Sequence, residues 1–307
     1  MSVCGEFCSS LINKVLLVGM LVSFPIYVSV LVVLIKRRAQ LRTSFFVLSV
    51  SVGLADLCYM LYEFIFRRSL AVLVRYWPNL LPLVDNVAFQ TLNKMNGWAW
   101  YYTQICGVLL LSVNRCTAFC FPMLYRTMWS SKNLKLAIAF QWLWLLPFSL
   151  PQMHPCCRSY LSSNISMRAA FADPQAMMVF WTADVVLEGS VAVVLVLLHA
   201  MTFYMIWRKG NQVDDGDEGA TSQEKKDIRK MERNLAVIGA VLCSLYLYMA
   251  LNYVLYFLLG HFVDMLGGLS VVVATVTFTS INPFLLIAFS SKFREQYLSF
   301  YFHFNST

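Results

Sequence analysis

Polar residues stand at four places in stretches otherwise apolar enough to be buried in oil, and their types limit the chemistry open to this chain. Asn114 and Arg115 interrupt "LLLSVNRCTAFCFPMLYRTMW" side by side, and Pro122 closes the run seven residues after the arginine. Arg115 there is a fixed cation with a fork of donors. Asp56 stands in "VGLADLCY", and Asn282 with Pro283 in "TSINPFLLIAFSSKF". An ionised side chain at mid-membrane costs roughly 3 kcal/mol, so each such residue is expected to face a helix-bundle interior and to be paired or functional. Asp56 and Asn282 are read as sharing one polar network, with Pro283 removing a backbone hydrogen bond beside it and permitting a kink. Asp184 and Glu188 lie one helical turn apart and so share a face. They line a cavity or, if their helix begins later, sit in a headgroup layer. All of this is charge placement and hydrogen bonding, not bond making. His154, His199, His261 and His303 are scattered without metal-ligand spacing, and no Gly-rich phosphate loop or G-x-S-x-G stands anywhere. No metal, cofactor or enzymatic activity is expected.

The elements that must position these residues are membrane spans. Of 307 residues, 59% are hydrophobic and only 13% charged, with a mean hydropathy of +0.63. A soluble domain carries about 25% charged residues, so too little polar surface is present to wrap a water-facing globule. A helix needs about 20 apolar residues to cross the hydrocarbon core. Seven stretches qualify: Val15 to Ile35, Ser44 to Phe66, Val87 to Phe121, Leu134 to Leu150, Met177 to Trp207, Leu235 to Leu259 and Met265 to Phe289. The expected fold is all-α, a seven-transmembrane-helix bundle formed by one domain over 1–307. No basic segment precedes the first apolar run and "KRR" follows it, so the first span is expected to stay in the chain.

Orientation follows from lysine and arginine, which are retained on the cytoplasmic side. With the amino terminus outside, 17 of the 24 fall in the inner loops and tail and 7 outside. The +8 formal charge therefore reads as topology and contact with anionic lipid, not nucleic acid. Cys4, Cys8, Cys156 and Cys157 then fall outside, where disulfides persist, with their pairing open. Asn164 begins a glycosylation sequon in the same outer loop as the last two. The aromatic cluster Trp98, Trp100, Tyr101 and Tyr102 and the sixth-span set Tyr246, Tyr248, Asn252, Tyr253 and Tyr256 invite a pocket reading, against the commoner one of an interface belt. After the seventh span, Phe293, Tyr297, Phe300, Tyr301 and Phe304 recur at near-helical spacing beside charged residues, which reads as an interfacial amphipathic helix.

"LRTSFFVLSVSVGLAD", "SVNRCTAFCFP" and "INPFLLIAFSSKF" resemble, in order and spacing, rhodopsin-like G-protein-coupled receptors. The closer resemblance is to nematode serpentine chemoreceptors, class V first and class gamma second. Their third helix similarly ends in an Asn-Arg pair followed by Thr, "FP", an aromatic and a Trp, here Asn114, Arg115, Thr117, Phe121, Pro122, Tyr125 and Trp129. Departures from the broader rhodopsin-like pattern are specific. Asn114 replaces the acid before the arginine, Leu286 stands where an aromatic follows Asn-Pro, the first span lacks its asparagine, and the sixth lacks a proline. The seventh span has no lysine for a retinal Schiff base, and the outer end of the third has no cysteine.

The resemblance implies a receptor binding a small molecule in an outer-half pocket, for which the residue pattern offers Trp98, Tyr101, Tyr102, Asp184, Glu188, Asn252, Tyr253 and Tyr256 as lining. It implies a heterotrimeric G protein as partner at Arg115, Asn114, Pro122, Met123, Tyr125, Lys230 and Arg233, and an activation relay through Asp56, Asn282 and Pro283. It makes a disulfide between the amino-terminal and second-outer-loop cysteines more interesting. The implied address is the plasma membrane of chemosensory neurons or their cilia. A seven-span channel or transporter is the alternative; it would be favoured by a repeated half or by embedded charges in register along one path, and neither is present.

Overall fold

The computed structural model describes residues 3–37, 39, 41, 43–69, 73, 76–80, 82, 86–144, 146–150, 159–161, 169–171, 174–211, 221–259 and 264–302. Its long helices are α1 (Val3–Lys36), α2 (Ser44–Tyr62), α3 (Val87–Cys120), α4 (Ser131–Leu143), α5 (Pro174–Asn211), α6 (Thr221–Leu259), α7 (Asp264–Phe289) and α8 (Ser291–Phe302). Local signals account for several boundaries. The Asn86 side chain caps α3 by accepting from the backbone N–H groups of Ala88 and Phe89, satisfying donors that a helix start leaves orphaned. Pro122 ends α3 and opens the short helix Pro122–Met128, where its missing N–H costs nothing. A two-stranded antiparallel hairpin, Ser159–Leu161 with Ala169–Phe171, is a feature that the sequence did not signal.

Polarity is inside-out. Buried residues include Asp56, Thr103, Gln104, Asn114, Gln141, Asp184, Glu188, His199 and Asn282, while Val15, Val18, Val186, Val193, Leu197 and Trp207 are exposed. In water that surface would be an aggregation liability; in lipid it is the solvated face. Among the described residues four helices are long and apolar enough to cross a bilayer alone, and a fifth if α7 and α8 are taken together across a 92° bend. The apolar part of α6, Ala236–Asn252, and all of α4 are shorter. They belong to the bundle through packing.

That packing closes a ring in which α1 meets α2, α2 meets α3, α3 meets α5, α5 meets α6, α6 meets α7, and α7 returns to α1. Helix α4 lies outside the ring against α2 and α3. It is pinned there by the fully buried Gln141, which accepts from Ser51 Oγ at 2.8 Å and donates to the Thr103 carbonyl at 3.3 Å. Trp142 Nε1 also donates to Ser51 Oγ, at 3.0 Å. Two apolar clusters fill the bundle. One gathers α1, α2, α7 and α8 around Tyr27, Leu48 and Phe293; the other surrounds Tyr101, Tyr102 and Tyr246 toward the opposite end of α3. Helix α8 turns back along α1, burying Phe293 and joining Tyr297 Oη to Ser29 Oγ at 2.9 Å. The Lys36 ammonium lies 5.3 Å from the Phe300 ring centroid.

Candidate functional site

Three polar groups lie along α3. The first joins α3 to α5 and α6. Tyr101 donates to Glu188 Oε1 at 2.5 Å and Tyr102 donates to Asp184. Tyr246, from α6, donates to the Glu188 backbone carbonyl at 3.3 Å. Glu188 is 1% exposed and Asp184 8%, so both acids turn into the bundle. Of the other aromatics, Trp98 stacks on Tyr102 with centroids 5.6 Å apart, whereas Trp100 turns away to Trp142 on α4. Asn252 is half-buried and bonds the Tyr248 carbonyl of its own helix. The side chains of Tyr253 and Tyr256 lie outside those described.

One turn further, Gln104 enters the second group. Its Nε2 donates to Asp56 Oδ1 at 2.8 Å and reaches Thr279 Oγ1 at 3.5 Å. Tyr27, from α1, also donates to Asp56, and Asn282 Nδ2 lies 3.3 Å from the Tyr27 hydroxyl. Asp56 and Asn282 therefore do belong to one network, bridged by a tyrosine that the sequence did not single out. Tyr27 brings α1 into that network. It reaches α2 because Gly53, one turn before Asp56, leaves room: a Cβ there would stand 3.1 Å from the Tyr27 ring and 2.7 Å from Leu31. Pro283 sits buried inside α7 without ending it, leaving the Thr279 carbonyl without its helical donor.

The third group surrounds the Asn114–Arg115 pair, whose two side chains part company. Asn114 is fully buried and donates to Ser44 Oγ at 2.8 Å, which also meets the Tyr125 hydroxyl at 2.7 Å. Trp129 Nε1 donates to Thr117 Oγ1 at 2.8 Å. Asn114, Thr117, Tyr125 and Trp129 thus form a clasp holding the short helix Pro122–Met128 against α2 and α3. At its tip Met123 is 84% exposed. Arg115 instead lies half-buried with its guanidinium carbon 3.6 Å from the centroid of the Phe45 ring. Beside it is a cavity of about 20 Å³, room for about one water, lined in part by Ser112, His199, Gly239 and Asn282. His199 shares a hydrogen bond with Ser112 at 3.2 Å and packs where a side chain on Gly239 would stand.

The side chains of Lys230, Arg233, Cys4 and Cys8 lie outside those described, as do Cys156, Cys157 and Asn164 altogether. Sequence reasoning missed Tyr27, Gln104, Phe45 and the part played by Tyr246. Only Gln104, an amide in an apolar run, carried a signal by type. A groove of about 390 Å³ between α1, α2 and α4 has a rim of exposed Ile35, Val47 and Leu54 and opens to lipid. Among the described residues no group of three His, Cys, Asp or Glu could hold a metal ion.

A closed ring of helices with polar groups strung along the third, and a short helix folded back at the end, is the architecture of a seven-helix membrane receptor. The crystal structure of squid rhodopsin shares this fold, with a TM-score of 0.72 over 96% of this chain and 85% of that one, at 15% identity. Residues 16–301 match the serpentine type 7TM GPCR chemoreceptor family Srv, and the chain belongs to that family. It is a G-protein-coupled chemoreceptor of a membrane. No curated protein matches it.

Proposed function

We propose that this receptor binds a small molecule among Trp98, Tyr101, Tyr102, Asp184 and Glu188 and signals to a heterotrimeric G protein at the opposite end of α3. The amino terminus lies outside, as the bias of lysine and arginine supports, and the receptor serves the plasma membrane of chemosensory neurons or their cilia. The observation that carries this reading is the order of groups along α3. Tyr101, Gln104, Asn114 and Arg115 belong to three separate networks on one rigid helix, and 14 residues at 1.5 Å each span about 21 Å. A ligand that moves α5 or α6 against Tyr101 strains the same helix that carries Arg115. Asp56, Tyr27, Gln104 and Asn282 tie α1, α2, α3 and α7 together between the two ends. They form the element with two packings whose balance a ligand shifts by its differential affinity. Met123, presented by the clasp, inserts into the partner, while Lys230 and Arg233 extend the basic contact from α6.

A ligand screen in cells with a G-protein readout tests this, because a receptor needs the G protein and a channel does not. Arg115→Lys keeps the charge but loses the planar fork. It is expected to reach the surface and bind ligand while coupling poorly, with Arg115→Ala coupling worse. Full signalling by both variants at matched surface level would reduce Arg115 to a membrane anchor.

A further inference from the structure

We infer that the pocket at Asp184 and Glu188 is built for a protonated amine. This rests on the pocket reading given above and names the class of ligand.

The two carboxyl groups are one turn apart on α5 and both are buried. Their partners are phenols, Tyr101 on Glu188 and Tyr102 on Asp184, and each phenol supplies a single hydrogen. Tyr246 directs its hydroxyl to the Glu188 backbone instead. That leaves Glu188 Oε2 buried with no hydrogen-bond partner. Among the described residues, no lysine, arginine or histidine forms an ion pair with either acid. Two carboxylates this close repel, and a buried charge without a partner is costly. The pair therefore needs a positive guest or a proton. A neutral guest leaves the charge unmet, and an anion adds to the repulsion.

The walls choose between the two remaining answers. Tyr101 and Tyr102 have ring centroids 5.6 Å apart, and Trp98 lies 5.6 Å from Tyr102. Aromatic faces attract a cation through their quadrupole and do nothing for a bound proton. A bare divalent ion wants more oxygen ligands than two carboxylates supply, and the described residues hold no three-ligand cluster. An organic ammonium meets every feature: its N–H donors reach Glu188 Oε2 and Asp184, and its carbon skeleton lies against the rings.

The test compares 2-phenylethylammonium with 2-phenylethanol, which share ring and chain and differ in charge. The readout is the melting temperature of the purified full chain in lipid nanodiscs. At about ten times its Kd the ammonium should raise the melting temperature by about 2 °C, and the alcohol should not. Glu188→Gln keeps shape and the Tyr101 contact but loses charge, so ammonium affinity should fall about 10- to 100-fold. Asp184→Asn serves as the second variant should Glu188→Gln fail to fold. Equal stabilisation by both probes, stabilisation by neither, or undiminished ammonium binding in the variants overturns the amine class. If only the alcohol binds and Trp98→Ala or Tyr101→Phe abolishes it, the pocket stands and the amine falls. Binding of either probe that ignores all four variants removes the pocket as well.

Discussion

Replacing Phe45 by leucine should make the receptor signal without ligand. The Arg115 guanidinium lies 3.6 Å from the Phe45 ring centroid, and Phe45 is 5% exposed. With Asn114 in place of an acid, no neighbouring carboxylate on α3 shares the task of holding the arginine. A cation over an aromatic face is worth about 0.5–1 kcal/mol when exposed and about 2 kcal/mol when desolvated. A half-buried arginine over a buried ring falls near 1 kcal/mol by the same scale. Phe45→Leu keeps most of the apolar volume and removes the ring face, so the packing with Arg115 tucked away loses about 1 kcal/mol against one in which it has swung out. With the closed packing dominant, the open population rises about fivefold. Basal G-protein activation per surface receptor measures this, with Phe45→Tyr, which keeps the ring, as the control. Unchanged basal activity in Phe45→Leu, or an equal rise in both variants, would show that the stacking does not restrain Arg115.

Four further outcomes are expected. Asp56→Asn should retain most of the agonist response, because Gln104 Oε1 has no partner and a turned-over Gln104 amide can accept from the new donor. Asp56→Leu strands the donors of Tyr27 and Gln104, and the response should fall at least tenfold; equal behaviour of the two variants would place the relay elsewhere. Trp129→Phe removes the hydrogen bond to Thr117 and should cost about 1 kcal/mol, lowering the melting temperature by about 1.5 °C and weakening coupling while ligand affinity is unchanged. Removal of the Asn164 sequon should abolish an electrophoretic glycan shift, and removal of a second sequon, Asn305-Ser306-Thr307, should not; the reverse would invert the orientation. Non-reducing peptide mapping should find Cys4 or Cys8 bonded to Cys156 or Cys157, and four free thiols would end that reading.

The fold was legible because lipid imposes two simple costs. Apolar runs of span length show on composition alone, and a charged or strongly polar residue within one is driven inward, which is why Asp56, Asn282, Asp184 and Glu188 all lie in the bundle interior. Tyr27 was not legible for the complementary reason. Helix α1 is apolar all round, so no polar stripe reveals its rotational phase, and a tyrosine in such a helix reads as an interface residue. Only the nearby Gly53, which lets the ring approach α2, hints at its direction, and it does so from another helix. Phe45 was hidden in the same way, since nothing in "SFFVLSV" separates a lipid-facing ring from one beneath a guanidinium.

The Asn114–Arg115 pair shows where a motif and its geometry diverge. Adjacent helical residues point about 100° apart, because 3.6 residues complete a turn, and here the two side chains meet different partners. Asn114 turns inward to Ser44 and, through it, to Tyr125; Arg115 turns to Phe45 and the small cavity beside His199. An acid at position 114 would bring a buried charge to the Ser44 hydroxyl with no cation assured, whereas a neutral amide donates there without one. Substituting asparagine for the acid therefore trades a charge that could hold Arg115 for a clasp that fixes the short helix and its exposed Met123. Phe45, which the Arg115 guanidinium meets, belongs to a different helix from the motif itself, so Phe45→Leu reaches the arginine without altering α3.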